Sequence, residues 1–230
     1  MNVFDIGIIL LLIMGFIIGF KNGFIKEGIS LIGIIVVFII AFFTKGYIGN
    51  FLCINLPFFK FFGPLKGLTT LNIIIYQTIA FLLIFTILLT IYIIVVKVAK
   101  VAEKIVDATI ILWLPSKLLG ALLCIIEVFL FLYIILLLLS VPLSTNKYFH
   151  ESTAVNIILY KTPILGKTKI AKSVKEVSQF AIDIKDEKLD KEEANKKILV
   201  VLLDNNIVDI DTVNKLNDQK KLKIKGLKKY

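Results

Sequence analysis

The first 43 residues hold two apolar runs joined by Gly19-Phe20-Lys21-Asn22-Gly23-Phe24-Ile25-Lys26-Glu27-Gly28. Each run has about the length of a bilayer-spanning helix, which takes ~20 residues to cross a ~30 Å hydrocarbon core. The joint is too short to hold a domain and can only turn the chain back. Lys21 and Lys26 at its tip reach the headgroups with their ammonium groups while their stems stay in apolar surroundings. A hairpin of this kind makes the chain an integral membrane protein before any chemistry is considered.

The rest of the chain repeats the pattern. Gly67 to Val96 carries no Lys, Arg, Asp, Glu or His. The whole sequence is 58% hydrophobic with a mean hydropathy of +0.91, well above a soluble domain, which is about half apolar. The apolar runs predict spans over about 3–20, 25–43, 71–96 and 118–141. The expected class is an all-α integral membrane protein with four transmembrane helices and a mostly helical, partly disordered C-terminal tail. Residues 1–142 form the four-span membrane domain and 143–230 a Lys-rich extramembrane tail. Met1–Asp5 has an acid and no Lys, and no Ala-x-Ala pattern follows the first run, so that run is expected to be a retained span rather than a cleaved signal.

The connections carry their own signals. Thr44–Thr70 mixes Lys45, Lys60 and Lys66 with Pro57, Gly63-Pro64 and the cluster Phe58, Phe59, Phe61 and Phe62, which suits an interfacial or partly re-entrant segment. After the third span, Lys97, Lys100, Lys104 and Asp107 recur at three- and four-residue steps and predict an amphipathic helix through Asp107. Pro115 is expected to break the helix there, with Trp113 as an interfacial anchor, and Pro142 stops the fourth span. In the tail, helices are expected over Lys167–Ile184, Leu189–Leu203 and from Asp211 to Leu216. Gln219–Tyr230 holds six Lys and no acid, the composition of a disordered end.

Charge narrows the partners. The formal net charge is +10 from 27 basic and 17 acidic residues, and every basic residue is Lys. Without Arg there is no bidentate recognition of phosphate or bases, and nucleic acid is not expected as a partner. The Lys-rich end suits anionic lipid or cell-wall polyanions, or is simply solvated. The lipid bilayer is the expected partner, with self-association or other membrane proteins besides it.

Within the spans, Gly15, Gly19 and Gly23 fall four apart. On a helix they make one smooth face that admits a second helix closely, although glycine is also common in membrane helices. Glu127 lies about ten residues into the predicted fourth span, where a carboxylate costs ~2.5–3.5 kcal/mol or more to insert. It reads as a proton- or ion-handling acid, as a neutral Glu hydrogen-bonded to a Tyr or Thr of another span, or as an acid near the interface if the span begins later. Asp5 is near enough to the terminus to sit at the headgroups. Cys53 and Cys124 have no disulfide or metal spacing. His150 has no second His, nearby Cys or clustered carboxylate to make a metal or catalytic centre. No phosphate-binding glycine loop occurs, and Ser30, Ser116, Ser140 and Ser144 have no visible base. No catalytic residue, metal site or cofactor is therefore expected, and the chain does not read as an enzyme.

The hairpin resembles the colicin V production protein (CvpA) family. That pattern has an acid near the start, a first span ending in Gly, a basic residue, Gly-Phe, and a basic-Glu pair opening the second span. Here these are Asp5, Gly19, Lys21, Gly23-Phe24 and Lys26-Glu27, followed by Ser30-Leu31 and Ala41. Leu118-Leu119-Gly120-Ala121 looks like the family's opening of the fourth span, with Cys124 where a second Gly is expected. The resemblance covers about residues 1–165, ending on Ser152 and Thr162-Pro163-Ile164-Leu165. It implies a bacterial plasma-membrane protein supporting colicin V or bacteriocin-type toxin production, secretion or envelope maintenance. It carries over no catalytic residue. The competing reading is a small oligomeric channel or transporter with Glu127 lining the path.

Overall fold

The protein is represented by a computed structural model describing residues 2–102, 113–163 and 165–222. The side chains of residues 98–102, Trp113 and Lys169 lie outside that description. Four long helices dominate: α1 (Val3–Asn22), α2 (Phe24–Asn55), α3 (Leu71–Ala102) and α4 (Trp113–Ser140). All four are long and apolar enough to cross a membrane. Much of their apolar surface faces outward, as with Leu10, Ile13, Met14 and Ile17 of α1. Exposed aliphatic surface on this scale is stable only against lipid.

α1 packs on α4 and α2 packs on α3, while α4 also lies against α2. Asn2 caps α1 by accepting from the amides of Phe4 at 2.8 Å and Asp5 at 3.3 Å. Asp5 returns the bond, accepting from the Asn2 amide at 3.0 Å, which closes a capping box. The hairpin turns at a single residue, Gly23, whose φ of 79° is left-handed and favours glycine there.

Two boundaries differ from the sequence expectation. α2 runs on to Asn55, twelve residues past the predicted end at Phe43, because nothing in Thr44–Asn55 breaks a helix. It stops where Leu56 precedes Pro57 and takes an extended backbone, φ −97° and ψ 151°. Pro115 does not break a helix but lies in the first turn of α4, where its missing N–H has no intrahelical partner to lose. The expected amphipathic continuation of α3 to Asp107 lies outside the described residues from 103 onward, and the Trp113 anchor likewise.

Beyond α4 come two short helices, α5 (Lys147–His150) and α6 (Thr153–Asn156), and a π-helical turn at Ile157–Lys161. The tail helices follow: α7 (Lys169–Lys185), α8 (Lys191–Asp204) and α9 (Ile210–Asp218). They are capped by Thr168, Asp190 and Asp209, each accepting from an amide of its own first turn.

The tail is docked on the membrane helices. Ile198, Leu202, Val213 and Leu216 share one buried cluster with Cys53, Leu68, Leu71 and Tyr76. Phe58 and Phe61 of the α2–α3 connection pack against it. Buried Asn195 of α8 pins the two parts together. Its Oδ1 accepts from the Thr70 amide at 3.1 Å and the Thr70 hydroxyl at 2.8 Å, and its Nδ2 donates to the Gly67 carbonyl at 3.0 Å. The expected disorder of Gln219–Tyr230 is cut back at its start. Lys221 donates to the carbonyls of Cys53, Ile54 and Leu56 and so satisfies the end of α2, and Leu222 is buried. Residues 223–230 lie outside the description.

Candidate functional site

The glycine face of α1 meets α4 of the same chain. A Cβ on Gly19 would lie 2.4 Å from the Gly120 carbonyl oxygen and 2.5 Å from Cys124 Cβ. On Gly120 it would lie 2.6 Å from the Gly19 oxygen and 2.7 Å from Gly23 Cα. On Gly15 it would lie 2.8 Å from a methyl of Val128. The backbones touch here, and only glycine leaves room for that. The seam is occupied, so this face is not open to a second copy of the chain.

The seam brings two acids into one polar cluster. Glu27 sits in the first turn of α2 and is buried, 4% exposed. Asn22 donates to its Oε1, and Lys26 donates to Asn22 Oδ1. Cys124 of α4 lies beside the Glu27 carboxylate, and Glu127 follows Cys124 by three residues, about one turn along α4. Glu127 lies midway between Leu114 and Ser140, the ends of the fourth span, and so deeper than the sequence suggested. Ser30 of α2 donates to Glu127 Oε1 at 3.2 Å. Glu127 Oε2 is buried with no hydrogen-bond partner. Tyr92 of α3 closes the cluster: its ring lies over Gly33, and its hydroxyl donates to the Ile29 carbonyl at 2.9 Å.

Polar groups thus run from the hairpin tip inward, from Lys26 through Asn22 and Glu27 to Glu127 and Ser30. Lys21 stays exposed at the tip. A protonated carboxyl can donate a hydrogen bond as well as accept one, and an acid within a membrane span is a group that could take up and release a proton there. The chemistry available is therefore proton uptake and release. The approach of Glu27 and Glu127 was illegible in the sequence, since 100 positions separate the two and no spacing rule links them. Glu127 hydrogen-bonds Ser30, not the Tyr or Thr of another span.

Asp5 forms a second junction, at the opposite end of the spans. Besides the Asn2 amide, its carboxylate accepts from the Ser152 hydroxyl at 2.6 Å and the Ala154 amide at 2.9 Å. Ser152 in turn accepts from the Val155 amide at 3.1 Å as the N-cap of α6. One buried carboxylate therefore holds the start of α1 to the segment after α4. Among the described residues no group of three or more His, Cys, Asp or Glu has metal-holding geometry.

The profile of the colicin V production protein family matches residues 4–163, a stretch that takes in the glycine seam, both acids and the Asp5–Ser152 junction. The chain is also 30% identical over 174 residues to an uncharacterized transmembrane protein, YshB, of Bacillus subtilis (strain 168). That alignment covers 70% of this chain and 92% of the relative. No solved structure matches the chain.

Proposed function

The chain belongs to the colicin V production protein family, and on that premise we propose that it is a non-enzymatic factor of the bacterial plasma membrane that supports peptide-toxin production, secretion or envelope maintenance. The family match over residues 4–163 carries this reading. Deleting the gene tests it. The expected result is reduced release of exported peptide, or greater sensitivity of the envelope to detergent, restored by the wild-type chain. A deletion strain equal to wild type in both assays overturns the reading.

A second reading is favoured by one observation, the unpartnered Glu127 Oε2 in mid-span beside Glu27. Here the chain conducts protons or small cations, with Glu127 on the path and Glu27 feeding it from the hairpin tip. Intramembrane acids commonly mark such paths. Purified protein in liposomes separates the two readings: flux that Glu127→Gln abolishes supports conduction, and liposomes as tight as empty ones sink it.

A further inference from the structure

A cavity of about 350 Å³ lies where α2, α3 and α4 meet the tail, at the small end of the size of ligand sites. Its lower wall is apolar, formed by Phe38, Phe42, Phe81 and Leu137. Its upper part is polar, with Lys45, Gln77, Thr168 and Asn205. Lys45 follows the apolar run that ends at Phe43, so the polar end of the cavity lies where the second span loses its unbroken apolar character.

Two groups in it lack the partner their chemistry calls for. Lys45 lies with its Nζ 5.2 Å from the Phe42 ring centre. No carboxylate lines the cavity, and none of the ion pairs among the described residues involves Lys45. Gln77 is 3% exposed, and its Oε1 accepts no hydrogen bond. Neighbouring groups fix that orientation. Asp209 can only accept, so Asn50 turns its Nδ2 toward Asp209 and its Oδ1 toward Gln77. Gln77 must then donate from its Nε2 to Asn50 Oδ1 at 2.8 Å, which leaves Oε1 without a donor and sealed within the protein. Gly49 leaves space for this side chain, since a Cβ there would lie 2.5 Å from the Gln77 amide carbon.

We propose that this cavity is a binding site for a glycerophospholipid of the surrounding bilayer with an anionic headgroup. An acyl chain fits among Phe38, Phe42, Phe81 and Leu137. The phosphate meets the Lys45 ammonium. The tail closes the site from above through Val174 and Val177 of α7 and Ile207 after α8. The inference is independent of which function above holds.

Native mass spectrometry of the detergent-solubilised full chain, offered phosphatidylglycerol or phosphatidylcholine, tests it. Wild type is expected to retain phosphatidylglycerol about fivefold over phosphatidylcholine, the preference one interfacial Lys confers. Lys45→Gln brings the ratio near one, whereas Lys60→Gln, altering a lysine outside the cavity, leaves it unchanged. Thr78→Trp fills the cavity and removes both adducts. Equal retention of the two lipids by wild type overturns the proposal. A phosphatidylglycerol carrying a photoreactive acyl chain needs no variant: it is expected to label peptides containing Phe81 or Leu137, and labelling confined elsewhere overturns the site. Glycerol 3-phosphate is expected to leave the melting temperature unchanged. A rise equal to that with phosphatidylglycerol would assign the site to a small soluble anion instead.

Discussion

Gly19 sits where the backbones of α1 and α4 touch, with room for no Cβ. The four-residue spacing of Gly15, Gly19 and Gly23 marks a face for close approach, and spacing alone reveals it. What it approaches is set by tertiary packing, and α4 takes the place that a second copy of the chain might have filled. Gly19→Leu should therefore disrupt the fold far more than Ile18→Leu, since Ile18 points outward and is 47% exposed. Even Gly19→Ala is expected to cost about 1–3 kcal/mol by overpacking. Gly7→Ala should be near neutral, as a Cβ there meets nothing within 4 Å. Thermal unfolding of the purified variants in one detergent checks the order, and equal melting temperatures for Gly19→Ala and Gly7→Ala would refute it. Glu127 invites a second test. Its side chain has a single hydrogen bond, from Ser30, which an amide oxygen accepts equally well. Glu127→Gln should leave the fold intact and abolish any pH-dependent activity. A variant identical to wild type across the pH range leaves the carboxylate a purely structural role.

At the scale of elements, composition and periodicity were legible and contacts were not. The tail helices expected over Lys167–Ile184 and Leu189–Leu203 match α7 and α8 within two residues at each end, because their apolar faces recur at helical spacing. The spans are legible for the same reason, but the extension of α2 to Asn55 escaped because Lys45 and Thr44 read as the start of a loop. Local charge does not end a helix; Pro57 does. Docking of the tail was illegible because it rests on Asn195, an ordinary polar residue in sequence. Asn195→Ala is expected to release α8 from the α2–α3 connection, seen as faster amide exchange through Lys191–Asp204. Unchanged protection there would refute the pin. The cap of α8 predicts a pH effect. The Glu192 amide that donates to Asp190 at 2.8 Å holds its carboxyl below the usual carboxylate range. A depressed folded pKa stabilises above the unfolded value of ~3.9 and is lost as pH falls through the folded one. Exchange in the first turn of α8 should therefore quicken on acidification below that point in wild type. Asp190→Asn, which caps without titrating, should flatten this dependence; equal acid sensitivity in both would count against it.

For the whole molecule the open question is which way it faces. The docked tail, the α2–α3 connection and the start of α1 lie together at one end of the spans, through the Asn195 and Asp5 contacts. The hairpin tip and the start of α4 lie at the other, where Gly23 meets Gly120. Lys21, Lys26, Lys97 and Lys117 flank the spans on the hairpin side, and the sequence adds Lys100 and Lys104 to the third connection. Lys45, Lys60, Lys66, Lys147 and Lys161 flank them on the tail side. Under the positive-inside rule the richer side faces the cytoplasm, and long tails translocate largely regardless of charge, so the Lys-rich end weighs little. Both termini are therefore predicted to lie outside the cytoplasm. A polybasic end would also suit the anionic cytoplasmic leaflet, so the prediction is exposed to a direct test. A phosphatase fused after Tyr230 should be active, and a fluorescent protein that matures only in the cytoplasm should stay dark at that position. A bright fluorescent fusion with an inactive phosphatase reverses the orientation, places Lys21 and Lys26 outside, and puts the Lys45 cavity in the cytoplasmic leaflet.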